Sequence, residues 1–229
     1  MNDEPDLAKL ARTIGDPTRI RMLSLLMEGR ALTAKELAYG ADIEPATATA
    51  HLHRLQGDRL VNVTSQGRHK YFRIESPAVA RLVESLMVLA PARKPATPSQ
   101  PLQAIRLARF CYDHLAGQLG VRLTQSLQER GLISLHEEEF IVSAEGEAWF
   151  LSFGLDVAQL RRHRRQFAPP CMDWSERSDH LAGALGAALA QRMLALGWLE
   201  RSKHTRAVGI TDAGHRGLAD YFGIQLAAS

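Results

Sequence analysis

The sequence predicts a mainly α-helical protein with small β-hairpins, an α+β fold divided into two domains. Residues 1–90 combine short amphipathic helix patterns with one hairpin pattern, and four of the eleven residues in 91–101 are proline. Residues 102–229 contain an internal repeat. We therefore predict an N-terminal domain (1–90), a proline-rich linker (91–101) and a C-terminal domain (102–229), each long enough to bury a core.

Capping residues and prolines in the first domain mark the positions where helices are predicted to begin. Asp16 stands at an N-cap position and Pro17 at the first helical position. Thr33–Glu36 has the form of a capping box and opens a short helix that ends near Ala41. Pro45 lies in the first turn of another helix. These signals predict three successive helices.

A hairpin and a final helix complete the domain. The segments "LVNVTS" and "HKYFRI" alternate apolar and polar residues and are joined at "QGR", which is typical of a β-hairpin. "ESPAVARLVESLMVLAP" then has the apolar stripe of an amphipathic helix. Helix, helix, turn, helix, hairpin, helix is the order of a winged helix-turn-helix.

Several motifs in this order resemble one known family. In "LARTIGDPTRIRMLSLL", "TAKELA", "TATAHLHRLQGDRLV" and "GRHKYFRI" the chain resembles the arsenic-repressor (ArsR/SmtB) family of bacterial transcription regulators, over about residues 5–90. The resemblance implies a homodimer, formed by the terminal helices, that binds a palindromic double-stranded DNA operator. It implies a DNA-binding transcriptional regulator, which we expect to be a repressor.

The residues that would contact DNA lie on the second helix of the helix-turn-helix and on the hairpin. That helix enters the major groove with its N-terminal residues at the base edges. Four arginines and one lysine oppose one acid between Arg54 and Arg73, a charge stripe suited to phosphates, although a merely solvated face is the alternative. The candidate DNA-binding residues are Pro45, Ala46, Thr47, Thr49, His51, His53, Arg54, Arg68, His69 and Lys70.

The metal sites common in this family are absent from the first domain. Many members bind metal through a Cys-x-Cys pair, whose positions are occupied here by Thr33 and Lys35. Other members use carboxylates and histidines of the terminal helix, but residues 76–90 contain no histidine. We therefore expect any sensing to reside in residues 102–229.

The second domain contains a repeated sequence motif. Seven of the eight residues in Asp113–Gly120 recur in Asp179–Gly186, and the similarity extends over repeats of about 102–160 and 171–226. We predict that each repeat is a winged-helix-like module and that the repeated motif lies on a helix, where Asp113 and Asp179 would cap the helices or hydrogen-bond the adjacent histidine rings. Its small residues would allow two backbones to approach across a pseudo-two-fold axis.

Three interpretations of the second domain stay open. Soft thiolates suit Zn, Cd, Cu(I) or As(III), so a metal, metalloid or thiol-redox site could form. An organic-ligand pocket could lie between the repeats, and buried structural roles would explain the same residues. The cofactor is unknown, with none required for the fold. The candidate sensor residues are Cys111, Asp113, His114, Cys171, Asp173, Trp174 and His180, of which Cys111, His114, Cys171 and His180 are the metal candidates.

Composition and missing motifs narrow the function classes. The chain has a net charge of +3, no long apolar run and no signal-peptide pattern, which predicts a cytoplasmic protein with no membrane partner. No phosphate loop, nucleophile elbow, dinucleotide fingerprint or HExxH motif is present, so we expect no enzyme. An interaction protein that does not bind DNA is the remaining alternative.

Overall fold

The computed structural model describes residues 4–91, 100–202 and 205–226, which form two compact units, 1–83 and 84–229. The division falls inside a helix, whereas the linker was predicted at 91–101, of which residues 92–99 lie outside the described residues. The predicted domain ranges stay a prediction. None of the helices in the described ranges has the length and apolar run that crossing a bilayer takes.

The first unit has the predicted winged helix-turn-helix order. One short strand precedes the third helix and joins the hairpin in a three-stranded antiparallel sheet, in which it pairs with the second hairpin strand. The last helix continues into the second unit. The elements are α1 (Leu7–Ile14), α2 (Pro17–Leu26), β1 (Leu32–Thr33), α3 (Ala34–Ala41), α4 (Pro45–Gly57), β2 (Val61–Gln66), β3 (His69–Ile74) and α5 (Pro77–Leu89).

The helix starts follow from the predicted caps. Asp16 accepts hydrogen bonds from the backbone N–H groups of Thr18 and Arg19, both at 2.9 Å, and thereby caps α2. Thr33 and Glu36 form a complete capping box at the start of α3. Both predictions from the sequence are confirmed.

The core of the first unit fixes which faces remain exposed. In the hairpin, Val61, Phe72 and Ile74 are buried, while the rest of β2 beyond Asn62 is exposed. The helices bury one stripe each, so their opposite faces are open to solvent. The buried residues of α2, α3 and α4 are Met22, Leu23, Leu26, Leu37, Ala38, Ala41, Ala48, Leu52 and Leu55.

The second unit contains two sets of elements in the same order (hairpin, helix, hairpin, helix), with one further helix before the first set and a short helix after it. All four hairpins are antiparallel two-stranded sheets. That these sets are winged-helix-like modules stays a prediction. The elements are α6 (Gln100–Leu107), β4 (Arg109–Cys111), β5 (His114–Ala116), α7 (Gly117–Glu129), β6 (Ile133–His136), β7 (Glu139–Val142), α8 (Ala144–Ser152), α9 (Val157–Leu160), β8 (Pro170–Met172), β9 (Asp179–Leu181), α10 (Gly183–Ala195), β10 (Leu199–Arg201), β11 (Val208–Ile210) and α11 (Asp212–Phe222).

The repeated motif is only partly helical, so the prediction that it lies on a helix capped by aspartate was wrong. The alternative, a hydrogen bond from the adjacent ring, is observed between His114 and Asp113. Asp113 lies in the turn before β5 and Asp179 lies in β9, and the residues at the helix N-caps are alanines. Gly117 and Gly183 begin the helices with φ of 75° and 71°, a conformation that favours glycine. The repeated motif therefore forms a sharp turn from a strand into a helix.

A second pair of glycines brings the two repeats together. A methyl group added at Gly120 would lie 2.4 Å from the carbonyl oxygen of Leu115 and 3.5 Å from Cβ of His180. One added at Gly186 would lie 3.3 Å from Cβ of His114. The tightest contact is thus within each repeat and not, as predicted, between two backbones across the repeats, but the next contact places each histidine against the other repeat.

Candidate functional site

The exposed side of α4 carries most of the predicted DNA-binding residues. Ala48, Leu52 and Leu55 turn inward and hold the helix against the core. The opposite side presents small and hydroxyl-bearing residues near the N-terminus and cationic residues further along. The exposed DNA-binding candidates on α4 are Pro45, Ala46, Thr47, Thr49, His53 and Arg54.

His51 differs from the other candidates on α4. It is half-buried, with Nδ1 3.5 Å from Nη1 of Arg19 and 3.8 Å from Oδ1 of Asp16. Arg19 in turn donates to the backbone carbonyl groups of Thr13 and Arg12. His51 therefore joins a network that ties α4 to the first two helices, and its contact with DNA stays a prediction.

The tip of the β2–β3 hairpin is a cationic projection. Arg68, His69 and Lys70 are all exposed there, and the turn passes through Gly67 with φ of 58°. Arg59 and Arg73, near the base of the hairpin, are also exposed. Together with α4 this surface can offer positive charge to phosphates and small polar groups to base edges.

The second unit brings four predicted side chains into one cluster. Cys111 and His114 are cross-strand partners on β4–β5, and Cys171 and His180 are cross-strand partners on β8–β9. Their ligand-type atoms all lie within 4.8 Å of one another. We call these four residues the Cys–His cluster, to which each repeat contributes one thiol and one imidazole.

The Cys–His cluster is enclosed. Cys111 and His114 are buried, His180 has no exposed surface, and Cys171 is partly exposed. The two sulfur atoms are 3.9 Å apart and the two Nε2 atoms are 3.1 Å apart. The side chains are therefore close enough to hold one ion between them.

Each imidazole has a carboxylate at its other nitrogen. Asp113 Oδ1 lies 3.3 Å from Nδ1 of His114, and Asp173 Oδ2 lies 3.3 Å from Nδ1 of His180. The second contact is electrostatic, because the ring N–H group is not aligned for a hydrogen bond. Carboxylates at Nδ1 orient the rings and leave the two Nε2 atoms facing each other.

Asp173 is the centre of a buried network. Its side chain is fully buried and accepts hydrogen bonds from the backbone N–H of Gly117 at 2.6 Å and from the hydroxyl of Ser175 at 2.7 Å. It also forms an ion pair with Arg109, at 2.9 Å, in which both side chains have no exposed surface. The guanidinium group of Arg109 lies 4.7 Å from the ring centroid of Trp174.

Asp173 and Trp174, which were candidates for the predicted organic-ligand pocket, belong to this network. The oxygens of Asp173 and the ring of Trp174 are engaged with neighbouring protein groups. One cavity of about 330 Å³ among the described residues lies at another place, between α8, α10 and α11, where Phe153, Trp198 and Tyr221 line it. The pocket at Asp173 and Trp174 stays a prediction.

Burial and charge shift the pKa values of the cluster in opposite directions. The hydrogen bond with Cys171, together with burial and the charge of Glu84, raises the pKa of the Cys111 thiol well above its usual range. The same hydrogen bond lowers the pKa of Cys171, against the effect of burial and assisted by the two histidines. In the absence of an ion the two thiols therefore differ in acidity, with Cys171 the more acidic.

The pKa values of the histidine and the aspartate beside Cys171 shift in the directions that favour their charged forms. Burial alone would lower the pKa of His180, but Asp173 and Cys171 raise it to about 9. Burial opposes ionisation of Asp173, and His180 and Arg109 nevertheless hold the pKa of this carboxyl far below its usual range. Opposite charges thus compensate one another inside the unit.

Helix α5 contributes a carboxylate near the cluster. Glu84 is buried and accepts from Nη1 of Arg206 at 2.9 Å, while its second oxygen has no hydrogen-bond partner among the described residues. Its charge is one of the causes that raise the pKa of Cys111. Sequence patterns did not indicate the contacts of Glu84, Arg109 or Arg206, because their partners are distant in the chain.

Comparison with known proteins finds similarity to helix-turn-helix regulators in the first unit, and similarity to one relative extends over the second unit as well. A family model described as a helix-turn-helix domain matches residues 14–64. The HTH-type transcriptional regulator YdfF of Bacillus subtilis (strain 168) is 42% identical over 212 residues, which cover 92% of this chain and 94% of the relative. The HTH-type transcriptional regulator CmtR of Mycobacterium tuberculosis is 32% identical over 84 residues, which cover 37% of this chain and 70% of CmtR.

A solved structure is similar to part of the chain. It is the solution NMR structure of a homodimeric winged helix-turn-helix DNA-binding domain from Mycobacterium bovis, described as a possible ArsR-family transcriptional regulator. It is 26% identical and covers 39% of this chain and 89% of its own, with a TM-score of 0.34. Because the identity with YdfF spans nearly the whole of both chains, this protein belongs to the HTH-type transcriptional regulators, with a winged helix-turn-helix of the ArsR/SmtB type as its DNA-binding domain.

Proposed function

We propose that the protein is a homodimeric repressor that binds a palindromic operator and that an effector bound in its second unit lowers the affinity for DNA. Helix α4 would enter the major groove, and the β2–β3 hairpin would contact the adjacent backbone. The effector must bind the two conformers of the protein unequally, and a coupling of about 1–3 kcal/mol is typical.

The exposed surface of α4 carries this proposal. Its first turn offers Pro45, Ala46 and Thr47, none of them bulky or charged, so the helix could approach base edges closely. Arg54, one residue before the inward-facing Leu55, is exposed and could contact a phosphate. Small side chains at its N-terminus would let the helix lie close to the base edges, and a cation further along would contact a phosphate.

The proposed dimer follows from the family and from α5. Two-fold symmetry would place the two copies of α4 in successive major grooves, about 34–36 Å apart. Leu89 is 80% exposed on α5, and Leu82 and Leu86 are only partly buried. An apolar helix surface of this kind supports a second copy of the chain as its partner.

Operator binding by the full-length protein tests the proposal. A fluorescently labelled duplex from upstream of the protein's own gene would be titrated by anisotropy at several salt concentrations. Affinity should fall steeply with salt, and Arg54→Ala or Lys70→Ala should weaken binding and reduce the slope of log affinity against log salt by about 1. Arg216→Ala, which removes an exposed cation from the second unit, is the matched control and should leave the slope unchanged.

Two outcomes would reject the proposal. One is the absence of binding at low salt, which would favour an interaction protein that does not bind DNA. The other is an equal loss of affinity for Arg54→Ala and Arg216→Ala, which would place the DNA contact elsewhere.

A further inference from the structure

We propose that Cys111, His114, Cys171 and His180 bind one divalent metal ion of the zinc class in a tetrahedral site. The ion would be the effector of the second unit, and only that regulatory role rests on the function proposed above. The binding itself is argued from the geometry of the cluster.

The distances in the Cys–His cluster match the edges of a tetrahedron around zinc. Bonds of 2.3 Å to sulfur and 2.0–2.1 Å to nitrogen place two sulfurs about 3.8 Å apart and two nitrogens about 3.3 Å apart in a regular tetrahedron. The observed separations are 3.9 Å for the two sulfurs and 3.1 Å for the two Nε2 atoms. The longest separation between ligand-type atoms in the cluster, 4.8 Å at most, requires only a small closing movement.

The two hairpins form equivalent half-sites. Residues directly opposite each other on paired antiparallel strands point to the same face. The pair of Cys111 and His114 and the pair of Cys171 and His180 each satisfy this condition. Two bidentate half-sites that face each other complete four-fold coordination without a ligand from solvent, which is typical of a closed zinc site.

The surroundings of the imidazoles also favour metal binding. Metal-bound histidines commonly present their second ring nitrogen to a carboxylate, as His114 does to Asp113 and His180 does to Asp173. With Nδ1 held in this way, the two Nε2 atoms approach to 3.1 Å. At this distance the two Nε2 atoms form a hydrogen bond, and a metal ion bound between them would take the place of its proton.

Charge balance selects a divalent ion. Two thiolates and one divalent cation sum to zero, which minimises the cost of burial. The neighbouring carboxylates are already compensated, Asp173 by Arg109 and Asp113 by Arg165. Thiolate and imidazole ligands suit Zn²⁺, Cd²⁺ or Co²⁺ and exclude hard ions such as Mg²⁺ and Ca²⁺.

Titration of reduced, metal-free, full-length protein with Co²⁺ tests the site. We expect saturation at one ion per chain, with thiolate-to-cobalt charge-transfer absorption and the d–d absorption of tetrahedral cobalt. Zn²⁺ should displace the cobalt, and Mg²⁺ should not. No saturable thiolate-to-cobalt absorption would overturn the proposal, as would a spectrum of octahedral cobalt.

Variants identify the ligands. Cys111→Ser with Cys171→Ser should abolish the charge-transfer absorption, and His114→Gln should keep it while weakening binding about tenfold or more. Asp113→Asn should weaken binding about 10–100-fold with an unchanged spectrum, because Asp113 positions the ring of His114 without touching the ion. His136→Asn, at an exposed histidine of the same repeat, is the control and should bind as the parent does. Equal binding by the double serine variant would overturn the assignment.

The metal and DNA measurements can reject the metal site and the proposed regulator independently of each other. Loss of cobalt binding with retained operator binding would reject the metal site and leave the proposed regulator intact. Cobalt binding without operator binding would reject the regulator and leave the site. A disulfide between Cys111 and Cys171 that forms equally fast with and without Zn²⁺ would also reject the metal site, because both states need the same sulfur atoms.

Discussion

The two units use polar side chains in opposite ways. In the first unit the cationic and hydroxyl groups of α4 and the hairpin are exposed, and the structural ion pair between Lys9 and Asp58 lies at the surface. In the second unit the ion pair between Arg109 and Asp173 is completely buried beside the Cys–His cluster. An exposed polar face suits a large polyanion, whereas an enclosed polar cluster suits a small ligand. Four experiments can break or sharpen this contrast.

The largest effect is expected at the buried ion pair. Asp173→Asn leaves the guanidinium group of Arg109 buried without its counter-charge, which should lower the free energy of unfolding by about 3–5 kcal/mol. Asp113→Asn removes the partner of the more exposed Arg165 and should cost about 1 kcal/mol or less. Urea denaturation of the full-length variants measures both. Similar costs would show that the second unit does not depend on its buried charges.

An intermediate effect is expected at the glycines that bring the repeats together. Gly120→Ala and Gly186→Ala each force a methyl group against a backbone carbonyl, at 2.4 Å and 2.3 Å before relaxation. Each should cost about 1–3 kcal/mol in the free energy of unfolding, measured by urea denaturation. Gly209→Ala is the control, since its new methyl group would lie 3.7 Å from the nearest atom. A clear difference between Gly120→Ala and Gly186→Ala would contradict the equivalence of the repeats.

A smaller effect, on affinity and not on stability, is expected on the exposed side of α4. Thr47→Ala should weaken operator binding by about 1 kcal/mol, if its hydroxyl bonds a base or phosphate, and leave the thermal unfolding midpoint unchanged. Anisotropy titration and a melting curve on the same sample separate the two quantities. A lower melting temperature would mean that Thr47 supports the fold.

The smallest effect is expected at the surface pair of the first unit. Hydrogen bonds from Lys9 and Thr13 outweigh burial and lower the pKa of Asp58. Because the pKa is lower in the folded state, Asp58 stabilises the fold above its unfolded pKa of about 3.9 and loses this contribution as the pH falls. Asp58→Asn should therefore cost about 0.2–1 kcal/mol at neutral pH and progressively less below about pH 4. Urea denaturation at several pH values measures this, and a cost that grows towards acid pH would contradict it.

The sequence predicted what depends on local signals. Asp16 and the capping box at Thr33 and Glu36 act over a single turn, so the helices of the first unit could be located from neighbouring residues. The repeat then indicated that His114 and His180 are equivalent. Their assembly with the two cysteines could be proposed because a pseudo-two-fold axis between the repeats was predicted to bring equivalent positions together.

What escaped prediction depends on tertiary structure. Nothing near Arg109 in the sequence indicates that it is buried, since its partners Asp173 and Ser175 follow much later in the chain. The strand-to-helix turn at Gly117 was missed because a glycine beside small residues also fits the close packing of a helix. Both errors concern residues whose conformation is fixed by distant contacts.

Operator affinity of one full-length preparation, measured by anisotropy without metal and with stoichiometric Zn²⁺, tests the division of labour between the units most directly. We expect the ion to lower the affinity about 5–150-fold in the parent protein and to leave it unchanged in the variant that combines Cys111→Ser with Cys171→Ser. An equal response of the two proteins to Zn²⁺, or no response of the parent protein, would contradict control of the exposed DNA surface by the enclosed cluster.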